Sequence, residues 1–488
     1  MKDHNSIRTL GELKDSGYKP RSIKEELRSN LIENLAQNRP SFTGIHGYDQ
    51  SVIPQLERAI LSQHNINLLG LRGQAKTRLA RLMVQLLDEY IPIVKGSEIN
   101  DDPMAPLSKY ARDLVQEQGD ETPVEWIHRE ERFYEKLATP DVTISDLIGD
   151  IDPIKAASMK LSYADERVIH FGMIPRANRS IFVINELPDL QSRIQVALFN
   201  ILEEGDIQIR GFQLRMPLDL QFVFTANPED YTNRGSIVTP LKDRIGSQIL
   251  THYPRSLEIA KRITAQEAHL QNERVCDIYV PELARDLVEQ IGFEARDNEF
   301  VDSKSGISAR MGITSYENLL STAEHRSVVT GEKNTSVRFS DILGMIPSIT
   351  GKVELVYEGE QEGAAFVAER LIGSAAKSLF DHNFPEIKKL RHEDEKDPYE
   401  DVLQWFFEQS SFDLMDNGTE QEYQEALASI TPLTKLVLKY MPELKEKDVP
   451  FVKELVLWAL AEHKKLNRRR IERGFEFKDS YGAYLSNL

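Results

Sequence analysis

Gly70, Leu71, Arg72, Gly73, Gln74, Ala75, Lys76 and Thr77 form a glycine-bearing turn between an apolar run and an amphipathic one. A turn of this composition can bind phosphate. Its glycines let the backbone curl so that N–H groups point inward, and the start of the following helix adds partial positive charge. Lys76 would reach the β- and γ-phosphates of ATP, and the Thr77 hydroxyl would hold Mg²⁺. The full pattern is G-x-x-x-x-G-K-[ST], and Ala75 stands where its second glycine belongs. A methyl group there disfavours positive φ. If the loop needs positive φ at Ala75, nucleotide binding is weakened. Without its context, the segment reads equally as an ordinary strand-to-helix turn with a chance Lys-Thr.

A phosphate loop that hydrolyses ATP needs carboxylates at the end of a second strand. One orients Mg²⁺ through water and the other polarises the attacking water. The run SIFVIN ends at Asn185, 108 residues after Thr77, and Glu186 follows it. Glu186 occupies the place of the catalytic base. Asn185 stands where an aspartate is usual. Its amide can accept a hydrogen bond from Mg²⁺-bound water but brings no charge, so weaker metal binding and slower turnover are expected. Replacing Asn185 by Asp and Ala75 by Gly is then expected to raise the rate. A third apolar run, LQFVFTAN, ends at Asn227, whose amide is placed to position the lytic water. Arg244 in PLKDRIG suits a transition-state phosphate contact made from a neighbouring subunit. Arg310 lies at a helix start in GISARMG. Either arginine alone reads as a solvated surface charge; the order of the five segments carries the argument.

The elements that must position these residues follow from the pattern. NINLLGL (65–71), SIFVIN (180–185) and LQFVFTAN (220–227) are short, largely apolar runs with the signature of buried strands. VIPQLERAILSQ (52–63), TRLARLMVQLLDEY (77–90) and LQSRIQVALFNILEEG (190–205) have helical spacing, the last stopping at Gly205. IPIVKG (91–96) suggests a strand, and DIQIRGFQLRMPLD (206–219) a hairpin turning at Gly211. Strands alternating with helices predict an α/β fold with a largely parallel sheet. We divide the chain into a polar helical lead-in (1–40), a nucleotide-binding domain (41–250), a helical lid (251–330) and a mainly helical C-terminal region (331–488). Within these last regions KVELVYEG (352–359) reads as a strand and KKLRHEDEKDPYED, from Lys388, as an exposed charged linker. EHKKLNRRRIERG (462–474) reads as the continuation of an amphipathic helix with a solvated basic end.

Taken in order, these segments resemble the AAA+ ATPases, and within them the magnesium chelatase subunit I and MoxR-like group. The resemblance covers roughly 41–330 and is most specific over IPRANRSIFVINELPDLQSRIQVALFNILEEGDIQIRG (174–211). TANPEDYTNRG and PLKDRIG are similar to that family's sensor 1 and arginine-finger segments, and IPIVKGSEINDDPMAP (91–106) to its second-strand region. The resemblance implies an αβα nucleotide domain, a helical lid and a homo-oligomeric ring with ATP between subunits. It assigns Gly70, Gly73, Gln74, Ala75, Lys76 and Thr77 to the nucleotide, and Thr77 and Asn185 to Mg²⁺. It makes Glu186 the base, Asn227 sensor 1, Arg244 the finger and Arg310 sensor 2. It also implies a separate subunit with a metal-dependent adhesion domain of the von Willebrand A type. No D-x-S-x-S stands in this chain; Asp302, Ser303, Lys304 and Ser305 have the wrong spacing.

Composition bounds the alternatives. The net charge of −18 argues against a general nucleic-acid binder. One cysteine, Cys276, excludes an intrachain disulfide and a cysteine-based metal site. The longest apolar stretches, such as LVLWALA (455–461), are far shorter than a membrane span requires, and the charged N-terminus does not read as a secretory signal. A cytoplasmic protein without membrane contact is the expectation. Three functions compete: an ATP-driven motor that remodels or metallates a partner, a nucleotide-gated scaffold with little turnover, and a transcription activator ATPase of the bacterial enhancer-binding type. The last lacks its G-A-F-T-G-A loop, for which DLIGDIDPIKAAS (146–158) stands instead.

Overall fold

Five parallel strands organise the first half of the chain: β1 (Ile66–Leu69), β2 (Phe133–Leu137), β3 (Ser180–Asn185), β4 (Leu220–Ala226) and β5 (Ser247–Leu250). Their order in the sheet is β5-β1-β4-β3-β2. The computed structural model describes residues 6–163, 165–204, 206–207, 209, 216–228, 236–270, 274–387, 397–409 and 411–479. The fold class is the expected one, a parallel α/β sheet followed by a largely helical region.

Side chains alternate across the sheet, so β3 splits its apolar residues between two layers. Ile181 and Val183 join Ile66, Leu68, Val223 and Ile249 under the helices that carry Leu56, Leu79 and Met83. Phe182 and Ile184 face the other way, with Phe222, Phe224, Leu187 and Ile194. Phe222 stacks on Phe224 at 5.7 Å and meets Phe182 edge-on at 5.8 Å. Burial on both faces explains why β1, β3 and β4 are mostly apolar, with Asn67, Gln221 and Thr225 buried among the apolar residues.

The register aligns the strand ends. Leu69 lies opposite Ala226 and Leu250, and Leu137 opposite Asn185. The residues that follow β1, β3 and β4 therefore emerge along one edge, where parallel α/β sheets hold their ligands.

The lead-in packs into this unit. Helix Ile23–Ala36 buries Ile23, Leu27 and Leu31 against the first of these layers. Its Glu26 makes a two-pronged ion pair with Arg132, both contacts 2.7 Å, just ahead of β2.

Several expectations need correction. The strand Tyr90–Val94 pairs antiparallel with Val124–His128, outside the main sheet. The strand beside β3 is instead Phe133–Leu137, so the second-strand assignment to 91–106 does not hold. The helix expected over 77–90 runs from Lys76 to Leu82, tightens into a 3₁₀ turn at Met83–Leu86, and gives way to that antiparallel strand. The hairpin at 206–219 keeps its paired ends, Asp206–Ile207 with Met216–Pro217; its turn at Gly211, and Gly205, lie outside the described residues.

The chain divides into two units, Met1–His252 and Tyr253–Leu488. The second has one core running from Leu283 to Phe477, with Trp458 and Phe339 at its centre, 4.5 Å between ring centroids. KVELVYEG is not a strand: Leu355 makes an isolated bridge to Val301, and Tyr357–Glu362 is helical. The charged segment from Lys388 lies outside the described residues up to Lys396. Its end is not an exposed linker, because Tyr399 and Val402 are buried and a helix begins at Glu400. EHKKLNRRRIERG is not helical past Glu462. Leu466–Ile471 and Gly474–Asp479 form a hairpin, with Phe412–Met415 on its far side. Arg468 stacks 3.7 Å over the Trp458 ring, which holds the basic strand against the core.

Candidate nucleotide site

The loop after β1 is held from several sides. The Gly70 N–H donates to the carbonyl of Ala226 (3.1 Å), tying the end of β1 to the end of β4. A Cβ at Gly70 would lie 1.9 Å from Thr251 Oγ1 and 2.2 Å from Gln74 Oε1, so no side chain fits there. Thr251 Oγ1 donates to Gln74 Oε1 (2.7 Å), and the Tyr48 hydroxyl lies 2.9 Å from the Gln74 carbonyl. Burial pushes the Tyr48 hydroxyl up to about 12, so it stays protonated as a donor. Gly73 has φ of +72° and Ala75 φ of +56°. The loop therefore does demand positive φ where alanine replaces glycine. Ala75 caps helix Lys76–Leu82 with no side-chain hydrogen bond.

Two hydrogen-bonded chains run from the helix start. In the first, the buried Lys76 ammonium donates to the carbonyls of Gly70 and Leu71 and to Asn227 Oδ1, the last at 2.6 Å. Asn227 Nδ2 donates to Glu186 Oε2 (2.9 Å). In the second, Thr77 Oγ1 and Thr225 Oγ1 both donate to Asn185 Oδ1, at 3.3 and 3.0 Å. Asn185 Nδ2 then donates to Glu135 Oε1. The other oxygen of Glu135 pairs with Arg81 at 2.7 Å. Glu186 itself sits at φ +54°, ψ +50°, an uncommon conformation for a residue with a Cβ, with its N–H donating to Thr225 Oγ1 (3.2 Å).

These contacts gather Lys76, Thr77, Asn185, Glu186 and Asn227 at the ends of β1, β3 and β4. Arg244 ends the helix Thr239–Arg244 and is spoken for within its own chain: Nη2 meets Glu203 at 2.6 Å and the guanidinium lies 5.2 Å over the Phe199 ring. Arg310 opens the helix Arg310–Thr330 in the second unit and is exposed. Residues 229–235 of the sensor segment lie outside the described residues.

The Thr77 hydroxyl, the Asn185 amide oxygen 3.3 Å from it and the Glu135 carboxylate hydrogen-bonded to Asn185 offer oxygen ligands. That set fits Mg²⁺, a hard cation that keeps several waters and shares phosphate oxygens. Tyr48, Glu135, Thr225 and Thr251 were not singled out from the sequence. Only Glu135 had a visible signal, a carboxylate in FYEKL, and that strand is half polar and gives no apolar run.

Residues 125–245 match the AAA domain of the dynein-related subfamily. That span holds Glu135, Asn185, Glu186, Asn227 and Arg244, and begins after the Gly70–Thr77 loop. The magnesium-chelatase 38 kDa subunit of Cereibacter sphaeroides is 26% identical over 209 residues, which is 41% of this chain and 55% of that protein. The chain thus matches about 55% of the length of this relative. Among solved structures, the complex between subunits BchI and BchD of magnesium chelatase is similar with a TM-score of 0.35 at 19% identity, covering 66% of this chain and 98% of that one. NtrX from Brucella abortus gives a TM-score of 0.33 at 13% identity, covering 61% and 55%.

Proposed function

We propose that this chain, which carries an AAA domain of the dynein-related kind and resembles the magnesium chelatase ATPase subunit, binds ATP with Mg²⁺ at the Gly70–Thr77 loop and hydrolyses it to drive a partner through a change of state. One observation supports this most: Lys76, Asn227 and Glu186 form a continuous hydrogen-bonded chain across the ends of adjacent parallel strands. Lys76 exchanges the carbonyls of Gly70 and Leu71 for phosphate oxygens. Asn227 fixes Glu186, and the Glu186 carboxylate accepts a proton from the attacking water. The Thr77 hydroxyl and Asn185 amide would hold Mg²⁺, whose charge would neutralise the phosphates. Arg244 would act on the nucleotide of a neighbouring copy in a ring, and Arg310 is the sensor 2 candidate that the resemblance assigns. The resemblance also points to a second subunit bearing an adhesion domain as the partner.

The test is ATP binding and steady-state hydrolysis by parent, Lys76→Ala and Glu186→Gln. Lys76→Ala is expected to weaken ATP binding by about tenfold or more, because it removes a charge-assisted contact. Glu186→Gln is expected to keep ATP binding and lose about 10²- to 10⁴-fold in rate. Parental hydrolysis in Lys76→Ala would overturn the assignment.

A second reading, a nucleotide-gated scaffold with little turnover, is favoured by Ala75, an alanine held at φ +56° in the loop itself. ATP binding without hydrolysis, even at concentrations where chains assemble, is the outcome that selects it.

A further inference from the structure

The Asn185 amide is wired at both ends. Its oxygen accepts from Thr77 and Thr225, and its nitrogen donates to Glu135. No side chain with two acceptor ends satisfies that arrangement. An aspartate at 185 would put a second carboxylate oxygen against Glu135 Oε1, where two like charges repel. The simple expectation that Asn185→Asp restores the site therefore ignores its neighbour. β2 and β3 run in register with Leu137 opposite Asn185, so Glu135, two residues earlier, shares the face of the sheet on which Asn185 sits.

We infer that the acidic role absent from residue 185 is carried by Glu135, so that Asn185 and Glu135 together are a charge-transposed carboxylate–amide pair serving Mg²⁺. This rests on the nucleotide-site reading above. In it Glu135 is a positioning residue. It fixes the amide with its oxygen toward Thr77, and it supplies from the adjacent strand the negative charge that Asn185 does not. Arg81, whose side chain is 63% exposed, shares the other oxygen of Glu135 and offsets part of that charge.

The experiment is calorimetric ATP binding at a series of Mg²⁺ concentrations, with unfolding midpoints measured alongside without nucleotide. The proteins are parent, Glu135→Gln, Asn185→Asp, the double variant, Arg81→Ala and Lys76→Ala. Glu135→Gln is expected to lose about tenfold or more of the Mg²⁺-dependent gain in ATP affinity, the usual scale for a partner one shell out from a metal. Asn185→Asp alone is expected to be no better than parent. The double variant, with the charge at 185 and the amide at 135, is expected to recover to within about threefold of parent. Arg81→Ala is expected to strengthen the Mg²⁺ dependence a few-fold, and because its side chain is exposed it does not hinge on the fold surviving. Unchanged Mg²⁺ dependence in Glu135→Gln overturns the inference, as does a double variant no better than the singles, or weaker Mg²⁺ dependence in Arg81→Ala. If Lys76→Ala binds ATP like the parent, the nucleotide-site reading itself falls. That result is distinct from a failure of the Glu135 role alone, in which Lys76→Ala loses binding and Glu135→Gln does not.

Discussion

Ala75 shows how one methyl group can be both tolerated and felt. A non-glycine residue at φ +56° carries a cost of about 1–2 kcal/mol from Cβ against the following carbonyl. Glycine would relieve it but would free the unfolded chain, an opposing effect of about 0.4–1 kcal/mol, and would lose part of the packing of the Ala75 methyl against the layer of Leu79 and Met83. The terms nearly cancel. Ala75→Gly is therefore expected to lie within about 1 kcal/mol of the parent in urea unfolding. Ala75→Val, a β-branched side chain in the same conformation, is expected to lose about 2 kcal/mol or more. Equal tolerance of Gly and Val would mean that the loop does not hold this conformation. The sequence pattern exposed the departure at Ala75 but not its consequence, because whether the position needs positive φ is a property of the curled loop.

At the scale of elements, what could be read was what is buried on both sides. β1, β3 and β4 are central strands, and their mostly apolar runs point to Lys76, Asn185, Glu186 and Asn227, which lie at strand or helix ends. β2 and β5 are edge strands, with Glu135 and Lys136 in one and exposed Gln248 and Leu250 in the other. Edge strands need no unbroken apolar run, so β2 went unread, and Glu135 with it. The C-terminal hairpin was missed for a related reason: Arg468 is half-buried by stacking on Trp458, which no helical or strand periodicity records. The lead-in read only as a polar helix, because its partners, Arg132 and Asp219, are distant in sequence. The Ile23 N–H donates to Asp219 Oδ2 at 2.7 Å, and burial, the largest influence, pushes the Asp219 carboxyl up to about 6. The folded protein thus holds this proton more tightly than the unfolded chain, where the group titrates at 3.8. Its contribution is fully present below that value and is lost as pH rises through about 6. Asp219→Asn keeps an acceptor for Ile23 and removes the charge. At pH 8 it is expected to be more stable than the parent by about 1–3 kcal/mol, an advantage that shrinks toward pH 5. Urea unfolding at both pH values checks this; a parent that gains on the variant as pH rises contradicts it.

For the whole molecule, the question is whether one chain holds a complete site. Arg244 bonds within its own chain to Glu203 and Pro240, and the site network is built from Lys76, Asn227 and Glu186. If Arg244 serves the nucleotide of a neighbour, it must leave Glu203 when chains meet head to tail, and each active site takes Lys76 from one chain and Arg244 from the next. Lys76→Ala and Arg244→Ala chains should then each be inactive alone and complement one another when mixed. In an equal random mixture about one interface in four joins an intact Lys76 to an intact Arg244, so about a quarter of the parental rate is expected. The recovered rate should rise with total protein concentration, since it depends on association. Glu203→Gln, which releases Arg244 without touching the nucleotide loop, should shift the concentration of half-maximal rate downward. A mixture as inactive as its components, at concentrations where the parent is fully active, would mean that Arg244 does not act on the nucleotide of a neighbour. The ring would then have to be argued from other residues.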